Sequence, residues 1–159
     1  MNFELFHFRD AERVLAAKSM VSDVMMTCQY IYDELVGTRF RQEILRAALE
    51  AMDWRNENMD LKVLPGRRYL YKGLKNGVAI DGSFSSYEYL HTGLLRLQVG
   101  YDRKNIQSGI LLLPGNRGEK SPYGNTAEML SEEIEMLFPT ISLPVTVCLY
   151  DLGEPLVPE

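Results

Sequence analysis

The sequence predicts an α/β fold with a mixed central sheet flanked by helices. Three observations carry that expectation. Apolar residues recur at helical spacing in the first third of the chain, over residues 19–35 and 38–52. The dipeptide Asn76-Gly77 lies between two strand-like runs, and it is the strongest short hairpin signal because both central residues of a type I′ turn need positive φ. Beyond it helix and strand patterns alternate, and Gly109-Ile-Leu-Leu-Leu-Pro114 is nearly all apolar, as expected of a strand covered on both faces. Together these describe an antiparallel hairpin at one side of a sheet and a parallel extension at the other.

The length of 159 residues fits a single domain spanning residues 1–159, with a sizeable core. A net charge of −5 is mildly acidic and gives no support to nonspecific polyanion binding, although a local basic face is compatible with it. The two cysteines, Cys28 and Cys148, sit in apolar patterns and read as buried reduced thiols. No Cys/His spacing points to zinc. The N-terminus lacks a basic-then-apolar leader pattern and the apolar runs are too short to span a bilayer, so a cytoplasmic protein without membrane contact is expected.

Residues 1–8 read as a strand or a packed arm. Asp10 is placed to cap a helical turn through Ala17. The helix after Ser19 carries Val21, Val24, Met25, Cys28, Ile31, Tyr32 and Leu35 as its stripe, with the methionines as core filler, and Gly37 closes it. Thr38 is expected to cap the next helix, with Phe40, Ile44, Leu45, Ala48, Leu49 and Met52 on one side. Trp54 to Asp60 reads as a polar loop, and Leu61 to Leu64 as a short strand broken by Pro65-Gly66. Arg68 to Lys72 is the expected first hairpin strand, and Val78 to Phe84 the second. Ser85-x-x-Glu88 fits a capping box, worth roughly 1 kcal/mol, before a helix burying Tyr87, Leu90, Leu94 and Leu97 and closed by Gly100. A strand over 106–113, a polar loop over 115–124, a helix capped by Asn125 and reaching Leu137, and a strand over 145–149 complete the chain. Glu128, Glu132, Glu133 and Glu135 form the solvated face of that helix, and the tail from Gly153 reads as loose.

The hairpin makes one sharp expectation. With Asn76 and Gly77 as loop residues, 75 faces 78, 74 faces 79, 73 faces 80 and Lys72 faces Asp81. Opposed side chains project from the same face. An ammonium about 4 Å from that carboxylate attracts it by ~1 kcal/mol in water and ~4 kcal/mol at a half-buried site.

Val78-Ala-Ile-Asp81-Gly-Ser83-Phe84-Ser-Ser-Tyr87 resembles the core of the BglII-like branch of restriction endonucleases, within the PD-(D/E)xK nuclease superfamily. The segments Asn105 to Pro114, Tyr123 to Glu133 and Leu143-Pro-Val-Thr-Val147 resemble the strand, helix and strand that follow it there, and Leu45 to Trp54 the helix that leads in. The likeness covers residues 40–153 and implies a restriction-endonuclease-like fold, double-stranded DNA as partner and a homodimer. In such enzymes two acids on adjacent strands hold Mg²⁺ with the scissile phosphate, and the metal activates a water. Carried over position by position, the first aspartate falls on Lys72, the glutamate on Asp81, and the third position on Ser83.

Lys72, Asp81 and Ser83 therefore stand at the catalytic positions with only one acid among them. The resemblance implies a nuclease fold whose metal site is degenerate, with the Lys72–Asp81 pair in place of the metal, reduced or absent cleavage, and no cofactor. Arg67, Arg68, Arg103, Lys104, Arg117 and Lys120 are its candidate phosphate contacts. Two alternatives stand beside it. One is an active Mg²⁺-dependent endonuclease with Asp81 and Glu88, or Glu50, as metal ligands and Lys75 as a migrated lysine. The other is a non-enzymatic homodimeric interaction protein. His91, near the apolar stripe of its helix, reads as a core or boundary residue rather than a base.

Overall fold

A computed structural model describes residues 3–115 and 123–153. Its five-stranded sheet runs in the order β1 (Phe3–Phe8), β5 (Val145–Tyr150), β4 (Ser108–Pro114), β3 (Val78–Gly82), β2 (Gly73–Lys75). The inner neighbours β3, β4 and β5 are parallel, and β1 and β2 close the two edges antiparallel. The mixed α/β sandwich expected from the sequence is what forms.

Strand side chains alternate between two cores. Val78, Ile80, Ile110, Leu112, Cys148 and Tyr150 face one side, where α2 (Val21–Leu35) and α3 (Arg41–Ala51) pack on them. Ala79, Leu111, Leu113, Val145, Val147 and Leu149 face α4 (Tyr89–Asp102) and α5 (Tyr123–Met136). A short α1 (Ala11–Ala17) follows β1. Gly93 lets α4 lie close to the sheet, since a Cβ there would run into the Leu111 side chain.

The turn at Asn76 and Gly77 has φ of 49° and 76°, as type I′ requires, and the pairs 75–78, 74–79 and 73–80 form as expected. The ladder then stops. The Lys72 N–H bonds the Ile80 carbonyl at 2.8 Å, a one-residue offset that removes Lys72 from its place opposite Asp81. The cause lies in Trp54, which is fully buried. Its carbonyl accepts the Leu74 N–H at 2.7 Å, and its indole donates to Thr27 Oγ1 at 2.9 Å. The outer edge of β2 is thus held by the loop before it. Arg68 to Lys72 is no strand, apart from a single bridge between Lys62 and Leu70.

Caps differ from expectation for a shared reason. Thr38 Oγ1 donates back to the Leu35 carbonyl at 2.7 Å, and α3 starts only at Arg41 without a side-chain cap. Ser83 and Ser86 hydroxyls accept the N–H groups of Ser85 and Glu88, at 3.3 and 3.1 Å, so short hydroxyl turns replace the capping box and α4 begins at Tyr89. The Asp10 side chain makes no cap bond to α1. Gly100 does not end α4. It sits inside the helix where the Tyr71 ring packs on it. Gly37, with φ of 73°, does follow α2 as expected. Met25 and Met26 are exposed rather than core. Cys28 and Cys148 are buried and free. The Asn125 side chain, Arg117 and Lys120 fall outside the described residues. Among the described residues, no helix is long and apolar enough to cross a membrane.

Candidate nucleic-acid cleft

A cleft of about 580 Å³ opens where β3 ends, between the start of α3 and the face of α4. In open α/β sheets, ligands settle at the carboxyl ends of strands. Arg39 and Arg41 reach it from the α2–α3 connection and α3, Lys72 from the bend before β2, and Arg96 from α4. Gly82, Ser83, Phe84 and Ser85 form the floor as the chain leaves β3, with Gln42, Leu45 and Tyr89 completing the wall.

Asp81 lies beneath this floor, fully buried at 0% exposure. Alternation along β3 sends it, with Ala79, to the α4 side. There Tyr89 Oη donates to it, 3.0 and 2.9 Å from Oδ1 and Oδ2. Oδ1 also accepts the Gly82 N–H at 2.9 Å. Arg96 Nη1 donates to Tyr89 Oη at 3.2 Å, and its guanidinium stands 5.6 Å from the Tyr69 ring centroid. Tyr89 and Arg96 are seven residues apart, two turns, so they share one face of α4.

Burial pushes the Asp81 carboxyl above its ordinary range, opposed by the Gly82 and Tyr89 hydrogen bonds and then by the charges of Arg96 and Lys72. Burial likewise raises the Tyr89 phenol, and the adjacent Asp81 charge raises it further. Tyr71 is raised to about 12, first by burial and then by Asp81. Tyr89 therefore acts as a donor toward the carboxylate, while the Tyr71 hydroxyl donates to the Arg96 carbonyl at 3.4 Å, and neither phenol acts as an acid in its own right.

The expected Lys72–Asp81 ion pair does not form. Ion pairs among the described residues are Arg46–Glu50, Lys75–Asp23 and His91–Glu133, and Lys72 enters none of them. The offset at the end of the hairpin is the reason. Lys72 acts on Asp81 only as a more distant charge, and Tyr89 takes the contact. Ser83 lines the cleft, its hydroxyl 2.9 Å from that of Ser85.

Glu88 is exposed at the start of α4 and does not line the cleft. Glu50 is held by Arg46 at 3.4 Å on the surface of α3. Lys75 is tied to Asp23 at 2.7 Å and to the Met52 carbonyl at 3.1 Å, so it is a structural strut. His91 is exposed and 3.2 Å from Glu133, which corrects both its placement in the core or at its boundary and the reading of Glu133 as purely solvated. Arg67, Arg68, Arg103 and Lys104 are exposed, and none of them lines the cleft. The residues that sequence reasoning missed are Arg39, Arg41, Tyr89 and Arg96. The seven-residue spacing of Tyr89 and Arg96 behind a strand carboxylate was the available signal for two of them.

A Mg²⁺ ion is held by one or two carboxylates with waters and substrate oxygens. The residues present do not fit that group. Both Asp81 oxygens already take the Tyr89 hydroxyl, and the cleft lining carries four cations and no carboxylate. Among the described residues, no group of three or more His, Cys, Asp or Glu gathers to hold a metal.

The arrangement defines a class, the α/β fold of restriction endonucleases with a basic cleft at the end of its hairpin. Among solved structures the chain is similar to the restriction endonuclease BglII complexed with a DNA 16-mer, with TM-score 0.66 and 12% identity over 94% of this chain and 76% of that one. It is also similar to free BglII, with TM-score 0.60 and 14% identity over 96% of this chain and 81% of that one. The fold is therefore that of BglII, as the sequence resemblance implied. No family model matches the chain, and no curated protein matches it in sequence.

Proposed function

We propose that this chain is a DNA-binding protein of the BglII type whose metal site is degenerate and which cleaves DNA weakly or not at all. One observation carries the reading: the single carboxylate at the catalytic position is buried and occupied by Tyr89, beneath a cleft walled by cations. Such a wall would repel a divalent ion and attract a phosphate backbone. Arg67, Arg68, Arg103 and Lys104 are further candidate contacts at the flanks. That a neighbour in fold was crystallised with DNA supports the choice of partner.

The test is to incubate plasmid DNA with the protein and Mg²⁺ or Mn²⁺, and to run a mobility shift with and without EDTA. A salt-sensitive shift without cleavage is expected, because phosphate contacts release counterions. Metal-dependent cleavage would favour the active endonuclease instead. A second reading, a homodimeric interaction protein, has the exposed Val21, Met25 and Met26 on α2 in its favour. It would be selected by a dimer in light scattering with no shift.

A further inference from the structure

We infer that the cleft is a local, metal-independent clamp for one DNA phosphate, gripped by Arg39, Arg41, Lys72 and Arg96. The inference rests on the DNA-binding reading and deepens it by naming how the backbone is held. The four cations come from three separate parts of the chain, yet they line one cavity. None of them forms an ion pair with a described carboxylate. Like charges collected without counterions repel one another, and an anion between them removes that repulsion.

Arg41 adds an independent sign. Its Nη2 donates to the Gly153 carbonyl at 2.9 Å, but its Nε is buried without a hydrogen-bond partner among the described residues. An unmatched buried donor is uncommon, and it leaves Arg41 with hydrogen-bonding capacity that the described residues do not fill. Arg96 is steered by Tyr89 and Tyr69 rather than left loose, so part of the grip is organised beforehand. The Tyr89 hydroxyl has a second role here. By bonding both Asp81 oxygens it engages the carboxylate that lies beneath the cations.

Along the groove, the unmatched positive character is confined to this end. The groove continues past Lys72 along α3, where Glu43 joins Arg46 and Arg55. Farther on, Arg46, Arg55 and Lys62 are matched by Glu50, Glu57 and Asp60. A strand laid along the whole groove would meet a surface that becomes neutral. The pattern suits one phosphate held firmly, with its neighbours turned away.

The experiment measures binding of a labelled DNA duplex by fluorescence anisotropy in EDTA, across a salt series. The proteins are wild type, Arg39→Gln/Lys72→Gln, and Lys62→Gln. Arg39 and Lys72 make no side-chain bond to a described residue, so the double variant is expected to keep the thermal midpoint of the wild type. The double variant should bind about tenfold or more weakly and lower the log–log salt slope by about 1 at most, as for the loss of a single phosphate contact, while Lys62→Gln leaves both unchanged. Wild-type affinity in the double variant would overturn the clamp while leaving DNA binding intact. An equal loss in Lys62→Gln would overturn its locality. Wild-type binding that requires Mg²⁺ would overturn its independence of metal. If the wild-type protein binds no duplex but binds pyrophosphate in a Lys72-dependent way, the DNA reading itself fails and the site belongs to a free phosphate compound.

Discussion

The hydroxyl of Tyr89 donates into the buried carboxylate of Asp81, 2.9 Å from one oxygen and 3.0 Å from the other. The pair joins the start of α4 to the end of β3 and sets what lies under the cleft. Removing the hydroxyl alone, in Tyr89→Phe, leaves the carboxylate buried with only the Gly82 N–H. Urea unfolding should show a loss of about 1–3 kcal/mol, the cost of a buried group that loses its partner. Because the ionised form is the one deprived, the folded pKa of Asp81 rises further. The loss should therefore be greater at pH 8 than at pH 5. Equal losses at the two pH values would contradict the pairing.

Asp81 itself gives a pH dependence of known sign. Burial raises its folded pKa above the unfolded value of about 4. A group raised in this way contributes stability that is present below the unfolded value and is lost as pH rises through the folded one. Asp81→Asn cannot ionise. Across denaturation curves from pH 4 to pH 8, the stability difference should therefore shift steadily in favour of the variant. A difference that is flat, or that moves toward the wild type, would mean that Asp81 is not held above its normal range.

Trp54 is the piece that decides where the hairpin ends. Trp54→Phe keeps most of the volume but leaves Thr27 Oγ1 without its indole donor, in a site with no exposure. A loss of about 1–3 kcal/mol in chemical denaturation is expected. Thr27→Val should cost less in the Trp54→Phe background than alone, since the two side chains share one bond. Simple additivity would rule out that shared bond as the tie between α2 and the hairpin.

These residues also show what was legible in the chain. The turn was readable because Asn-Gly dictates its own backbone geometry, and three pairs of register followed from it. The parallel extension beside the hairpin followed from apolar runs that need cover on both faces, whereas the place of β1 at the far edge did not. The fourth pair, Lys72 with Asp81, was not readable. It depended on a tryptophan some twenty residues earlier that claims the other edge of β2. The start of α4 was misplaced because Ser83 and Ser86 spend their hydroxyls on local turns, which the capping-box pattern cannot distinguish. Arg39 and Arg41 gave no signal in the sequence, and Arg96 gave only its seven-residue spacing from Tyr89. Single charges become a site only when α3 and α4 are packed on opposite sides of β3.

Titration calorimetry with Mn²⁺ or Mg²⁺, on wild type and Asp81→Ala, tests the degenerate site most directly. No binding heat that depends on Asp81 is expected, because Tyr89 covers the carboxylate and four cations surround the approach. Divalent binding to the wild type that disappears in Asp81→Ala would show that the carboxylate still serves a metal, and the degenerate-nuclease account would fall.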